Sequence, residues 1–197
     1  PYLGNQGYFP HQHPRAAYAA MISYLDENIG TLIEQLKAEG IYENTLIFFT
    51  SDNGPTYAGG ADTEWFDSAG PFGEAYGRGK GFVCEGGIRV PLIVRYPGKT
   101  PTGSMSDRIV MSMDLLPTAM EAAGVPVVTE HEGVSHWTAW QGKPQGEAER
   151  DLFFTRREGG RFEGTERASP LLCPFTRKPF TTLRMYSQSM STISSKT

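Results

Sequence analysis

An apolar run, Thr45-Leu46-Ile47-Phe48-Phe49-Thr50, stops abruptly at Ser51-Asp52-Asn53-Gly54. A buried strand ending in a carboxylate, an amide and a glycine can hold oxygen ligands rigidly at the mouth of a cleft, which suits a hard cation such as calcium or magnesium. Calcium takes about six to eight oxygens, so Asp52 and Asn53 would supply only part of a shell. The same residues also suit a turn in which both side chains accept from nearby backbone donors ahead of Gly54.

A second candidate is Lys80 in Gly77-Arg78-Gly79-Lys80-Gly81. Small neighbours allow close backbone approach, and an ammonium beside Arg78 could neutralise a sulfate or phosphate oxyanion. The spacing is not that of the nucleotide loop G-x-x-x-x-G-K-[ST], because Gly81 stands where a hydroxyl is needed. Taken bare, such a cluster is more often a solvated loop than an anion site. In Glu85-Gly86-Gly87-Ile88-Arg89-Val90-Pro91, Glu85 and Arg89 are spaced to pair at the entry to a strand, a structural role, with the glycines making a tight turn. Asp114 reads as a helix cap rather than a catalytic base. His11 and His13 precede a helix with no cysteine ligands nearby, so surface or capping roles suit them better than zinc.

The elements that must position these residues follow from periodicity. Over Pro14–Leu36, Tyr18, Met21, Ile22, Leu25, Ile29, Leu32, Ile33 and Leu36 recur at spacings of three and four, which predicts an amphipathic helix. Pro14 suits its first turn and Gly40 its end. Thr45–Thr50 reads as a fully buried strand, and Pro91–Tyr96 as a second strand stopped by Pro97-Gly98. Between them, residues 54–87 are rich in glycine, aromatics and carboxylates without a sustained period, as in a long ordered loop that shapes a site. A helix begins near Ser112 or Asp114, carries Pro117 in its first turn, and ends at Gly124. Asp151–Thr155 reads as a short strand, and helix followed directly by buried strand indicates an α/β layer architecture.

The 197 residues suffice for one substantial domain, and the abundant Tyr and Phe in periodic segments argue against wholesale disorder. A net charge of −4 argues against a general nucleic-acid or anionic-membrane surface, while permitting a local basic pocket. No apolar stretch approaches the roughly 20 residues of a membrane span. The N-terminal residues lack the pattern of a signal peptide, and the absence of an initiating Met suggests that something upstream is missing. Cys84 and Cys173 permit one disulfide, with two reduced thiols the simpler expectation.

Taken in order, the motifs resemble the sulfatase family, within the alkaline-phosphatase-like superfamily. They are Arg15-Ala16-Ala17-Tyr18-Ala19-Ala20-Met21, Leu25-Asp26-Glu27-Asn28-Ile29-Gly30, Asn44–Gly54, Gly79-Lys80-Gly81, Glu85–Pro91 and Met113-Asp114-Leu115-Leu116-Pro117-Thr118. The resemblance runs over roughly residues 10–160 and corresponds to the later part of the catalytic domain. It implies a partial catalytic region over residues 1–164 with a predominantly parallel central sheet, followed by a divergent, flexible tail over 165–197. It implies Asp52 and Asn53 as ligands of a divalent metal, calcium in most members, and Lys80 as the catalytic and substrate-binding contact to the sulfate group. The implied activity is hydrolysis of a sulfate monoester, carbohydrate or aromatic, in a periplasmic, extracellular or lysosome-like compartment. No nucleic-acid partner and no transmembrane segment are implied, and the oligomeric state is open.

The family's nucleophile is a formylglycine made from the first residue of C/S-x-P-x-R, and no such segment occurs in this sequence. Cys173-Pro174-Phe175-Thr176-Arg177 has its proline one position too early. The isolated chain is therefore expected to be inactive, its formylglycine lying upstream. The usual basic residue before the lysine would fall at Gly77, whereas the arginine here is Arg78. A phosphatase or phosphotransferase of the same superfamily is the enzymatic alternative, and a noncatalytic fragment that binds divalent ions is the third reading.

Overall fold

A computed structural model describes residues 11–56, 61–72, 79–126 and 130–146. These fall into two compact units, one of 11–25, 51–56, 61–72 and 79–90, the other of 26–50, 91–126 and 130–146. The element order is α1 (Pro14–Ala38), β1 (Ile47–Thr50), α2 (Glu85–Ile88), β2 (Leu92–Arg95), α3 (Leu115–Ala122) and α4 (Trp137–Trp140). The expected strand at 151–155 and the tail at 165–197 lie outside the described residues. Among the described residues no helix is long and apolar enough to cross a membrane.

α1 begins at Pro14, whose missing N–H is no loss in a first turn. It ends where Gly40 takes a φ of +70°, the left-handed conformation that closes a helix at little steric strain. Its apolar stripe is present but largely uncovered. Ile33 is the buried member, whereas Met21 is 67% and Leu32 58% exposed.

The second unit holds the sheet and the small core. β1 and β2 pair antiparallel, with Ile47 opposite Arg95 and Thr50 opposite Leu92. This corrects the expectation of a predominantly parallel central sheet: the described strands form a two-stranded antiparallel sheet. Apolar runs specify that two segments are strands, but their relative direction depends on the path of the long connection between them, which no period encodes. β1 is also less enclosed than its apolar run suggests, half-buried along Ile47–Phe49 and exposed at Thr50. β2 alternates, with Leu92 and Val94 buried. Leu92, Val94 and Trp140 make the core, and Leu46, Phe48, Val110 and Leu115 pack on it. Phe48 meets Trp140 edge-on at 5.5 Å, and Tyr96 lies 5.9 Å from Trp137. α4, built around two tryptophans three residues apart, has no counterpart in the sequence expectations, being too short to show a period.

In the first unit the N-terminal part of α1 is tied to the 61–72 segment. Arg15 donates to Asp62 Oδ2 through Nε at 2.8 Å and through its terminal nitrogen at 2.7 Å, while Trp65 N–H donates to Asp62 Oδ1 at 3.1 Å. Tyr18 packs on Phe66 at 4.8 Å. The hydrogen bond from Arg15, and after it the Trp65 amide, holds the Asp62 carboxyl below its ordinary range. Because the folded value is the lower one, the stabilisation is present above the unfolded value and fades as pH falls through the folded one. A carboxyl-carbon NMR titration should therefore find Asp62 protonating at lower pH in the folded chain than in the unfolded one, and Arg15→Gln should raise its midpoint. An unmoved midpoint in Arg15→Gln would remove the ion pair as the cause.

Candidate functional site

Asp52, Asn53 and Lys80 all belong to the first unit. Immediately after β1 the chain turns through Ser51–Gly54, with Ser51 Oγ donating to the Asn53 carbonyl at 2.8 Å. Asn53 Nδ2 donates to the Gly54 carbonyl at 3.0 Å, and Oδ1 makes no hydrogen bond to a described residue. Asp52 is exposed, and its carboxylate makes no hydrogen bond or ion pair to a described residue. Ser51 and donation from Asn53 thus help hold the turn, and neither the Asp52 carboxylate nor Asn53 Oδ1 accepts from a backbone donor among the described residues.

What fixes this turn against the lysine loop is backbone on backbone. Gly54 N–H donates to Gly87 O at 2.9 Å, and Lys80 N–H donates to Pro55 O at 2.7 Å. Gly54 is buried, and a Cβ there would fall on the carbonyl oxygen of Gly86. A Cβ on Gly87 would fall on the carbonyl oxygens of Phe82 and Gly79. Three segments therefore meet backbone to backbone, at a point where neither Gly54 nor Gly87 can carry a side chain. The consequence for the candidate site is positional: the Lys80 backbone is bonded three residues beyond Asp52, while the Lys80 side chain is exposed. Sequence reading singled out the ligand-type residues and the separate glycines. It missed that Gly54, Gly86 and Gly87 contact one another, for which the only signal was the recurrence of small residues beside both motifs.

The remaining expectations resolve individually. Glu85 and Arg89 do pair, at 3.0 Å, from the first residue of α2 to the residue just after it, and the intervening Gly86 and Gly87 are helical and buried, not in a tight turn. Arg89 also lies over the Phe72 ring at 4.4 Å. His11 and His13 are exposed, and His11 Nδ1 accepts from the His13 amide at 3.0 Å just before α1. Cys84 is disulfide-bonded, contrary to the expectation of reduced thiols, and its partner lies outside the described residues. Asp114, in the second unit, does not cap α3 with its side chain. Its carboxylate instead accepts from Met111 N–H at 2.7 Å and Val134 N–H at 2.9 Å, and its Oδ2 lies 3.1 Å from His136 Nε2.

A family model described as Sulfatase matches residues 2–125, well over half of the chain. The chain belongs to the sulfatase family. Among individual sulfatases it is similar to an uncharacterized sulfatase of Schizosaccharomyces pombe, 37% identical over 136 residues, covering 55% of this chain and 24% of that protein. An N-acetylglucosamine-6-O-sulfatase of Bacteroides thetaiotaomicron is 38% identical over 118 residues, 60% of this chain and 18% of that one. A steryl-sulfatase of Rattus norvegicus is 32% identical over 129 residues, 62% and 21% respectively. This sulfatase-family chain thus spans about a quarter or less of the length of these relatives.

Within the sulfatase-family chain, the Asp52 carboxylate and Asn53 Oδ1 are hard oxygen donors, one anionic and one neutral, neither held by a described residue. They fit a divalent cation of the calcium type in donor chemistry. They are two donors only, and among the described residues no group of three or more His, Cys, Asp and Glu side chains is gathered to hold a metal.

Proposed function

We propose that the protein to which this chain belongs hydrolyses a sulfate monoester, with Asp52 and Asn53 holding a divalent cation, calcium, and Lys80 binding the sulfate group. The observation that carries the reading is the family match over residues 2–125. The Pro55–Lys80 backbone bond supports it, because it ties the ammonium-bearing loop to the turn that offers the two oxygens. The relatives' names share the sulfate group and differ in the alcohol, which supports assigning the shared sulfate chemistry to these residues and leaving the alcohol to others.

The division of labour follows from charge. Bound by Asp52 and Asn53, the cation would withdraw electron density from a sulfate oxygen and offset the group's negative charge. Lys80 would donate its N–H bonds to sulfate oxygens and strengthen that contact as charge grows on them in the transition state. The turn contributes order: Ser51 Oγ and Asn53 Nδ2 are bonded to backbone carbonyls within it, which restricts the Asn53 side chain before a cation binds. The nucleophile is a separate matter. No C/S-x-P-x-R segment occurs in the 197 residues, so no bond-making step is derived from this chain.

Calcium titration of the chain by calorimetry, compared with Asp52→Ala, tests the ligand role; Asp52→Ala is expected to bind at least about tenfold more weakly. In the full-length enzyme Lys80→Ala should lower kcat for an aryl sulfate by about a hundredfold, the usual effect of removing one charge-stabilising donor. Equal calcium affinity in wild type and Asp52→Ala would overturn the metal assignment. Unchanged turnover in Lys80→Ala would overturn the sulfate contact.

A further inference from the structure

We infer that Trp65, with Arg15 and Asp62, forms a binding platform for a saccharide ring. The three tryptophans of the chain differ sharply: Trp137 and Trp140 are 8% and 2% exposed, whereas Trp65 is 57% exposed. An indole left in water is ordinarily mobile, yet this one is fixed from several sides. Its amide is bonded to Asp62, the Arg15 guanidinium lies 4.9 Å from the ring centroid, and Phe66 meets it edge-on at 4.6 Å. Phe66 is itself braced by Tyr18. The ordering that a ligand would otherwise have to impose is already in place, which favours binding.

The rim selects the ligand class. Arg15 spends two of its five N–H groups on Asp62, and the other three make no hydrogen bond to a described residue. Asp62 accepts three hydrogen bonds from Arg15 and Trp65 and keeps one lone-pair direction for a further donor. An exposed indole with Arg15 over its ring and Asp62 bonded to that arginine offers an apolar surface beside a donor and an acceptor, which matches a sugar, whose C–H face lies on an indole while its hydroxyls both donate and accept. A protein partner suits the patch less, because it would press the Arg15–Asp62 pair into an interface core, where charged residues are depleted. A hydrocarbon ring would leave the same pair without partners. Where the sulfate-ester reading holds, on which this extension rests, the platform makes a saccharide the alcohol part of the ester.

Trp65 is the one exposed tryptophan, so fluorescence of the full chain reports on it selectively. Titration with a neutral saccharide, chitotriose, is expected to shift the emission to the blue and protect it from iodide quenching in a saturable way. Trp65→Ala should abolish the signal, and Trp65→Phe, which keeps an aromatic ring in place, should weaken chitotriose binding by at least about fivefold when followed by calorimetry. Arg15→Gln should weaken it similarly with the Trp65 emission retained. Absence of a saturable response in wild type, or wild-type affinity retained in Trp65→Phe or in Arg15→Gln, would overturn the platform; so would a response to phenol but not to chitotriose. None of these readouts needs calcium or turnover, so the platform can fail while the Asp52 test succeeds, and the reverse.

Discussion

Replacing Gly54 by alanine is expected to destabilise the chain by about 3 kcal/mol or more, at the upper end for overpacking by one methyl. The new Cβ would land on the Gly86 carbonyl oxygen, with the Gly86 carbonyl carbon and Gly87 Cα directly behind it. These are backbone atoms and cannot rotate aside as a side chain would. Relief requires the turn and α2 to separate, which breaks the 2.9 Å bond from Gly54 to Gly87. Gly30→Ala is the matched control, since nothing lies within 4 Å of a Cβ there. In the interior of α1 that change should stabilise by about 0.5–1 kcal/mol, through the ordinary helix preference of alanine. Urea unfolding of the two variants should move in opposite directions. A Gly54→Ala midpoint within error of wild type would show that the three-segment contact yields easily.

The second large effect is expected at Asp114. Its side chain is fully enclosed at 0% exposure, beside His136 at 3%. Three donors or partners converge on the one carboxylate, and around them Thr118 Oγ donates to the Asp114 carbonyl at 2.6 Å while accepting from His136 N–H at 3.0 Å. Asp114→Ala would leave the part-buried Met111 and Val134 amides and the buried His136 ring without their acceptor, and would open a void. Its expected effect is a loss of about 3–5 kcal/mol. Asp114→Asn preserves the volume and one oxygen but replaces the other by a donor facing a donor, so it should lose a little less. Thr118→Val should cost about 1–3 kcal/mol, through the buried groups left unpaired. If chemical denaturation ranks Asp114→Ala below Thr118→Val, the carboxylate is not the centre of this network.

The difference between what could and could not be read beforehand has a physical pattern. Periodicity and local stereochemistry are contained in consecutive residues, so α1, its proline start, its glycine end and the two strands were legible. Pro117 falls in the first turn of α3 for the same reason. Relations between distant residues were not. The antiparallel register of β1 and β2 depends on a return path through 51–91, and the apolar content of both strands is compatible with either direction. Asp114 looked like a cap because its type and place suit one, yet its partners at Val134 and His136 come 20 and 22 residues later. The candidate site shows both behaviours: Asp52, Asn53 and Lys80 stood out by residue type, whereas the glycine contact that brings their backbones together has no side chain to announce it.

The bond from Lys80 to Pro55 also closes a ring of chain, since residues 56–79 leave from one end of that bond and return to the other. Closing a flexible loop becomes only about 0.6 kcal/mol harder for each doubling of its length. By closure entropy alone, a longer or shorter excursion costs little so long as its neck and the Arg15–Asp62 and Tyr18–Phe66 contacts are kept. The neck and the excursion are consequently constrained by different means: one by glycine backbone against carbonyl, the other by side-chain contacts to α1 that can be exchanged without moving the backbone bond from which the ammonium-bearing residue starts.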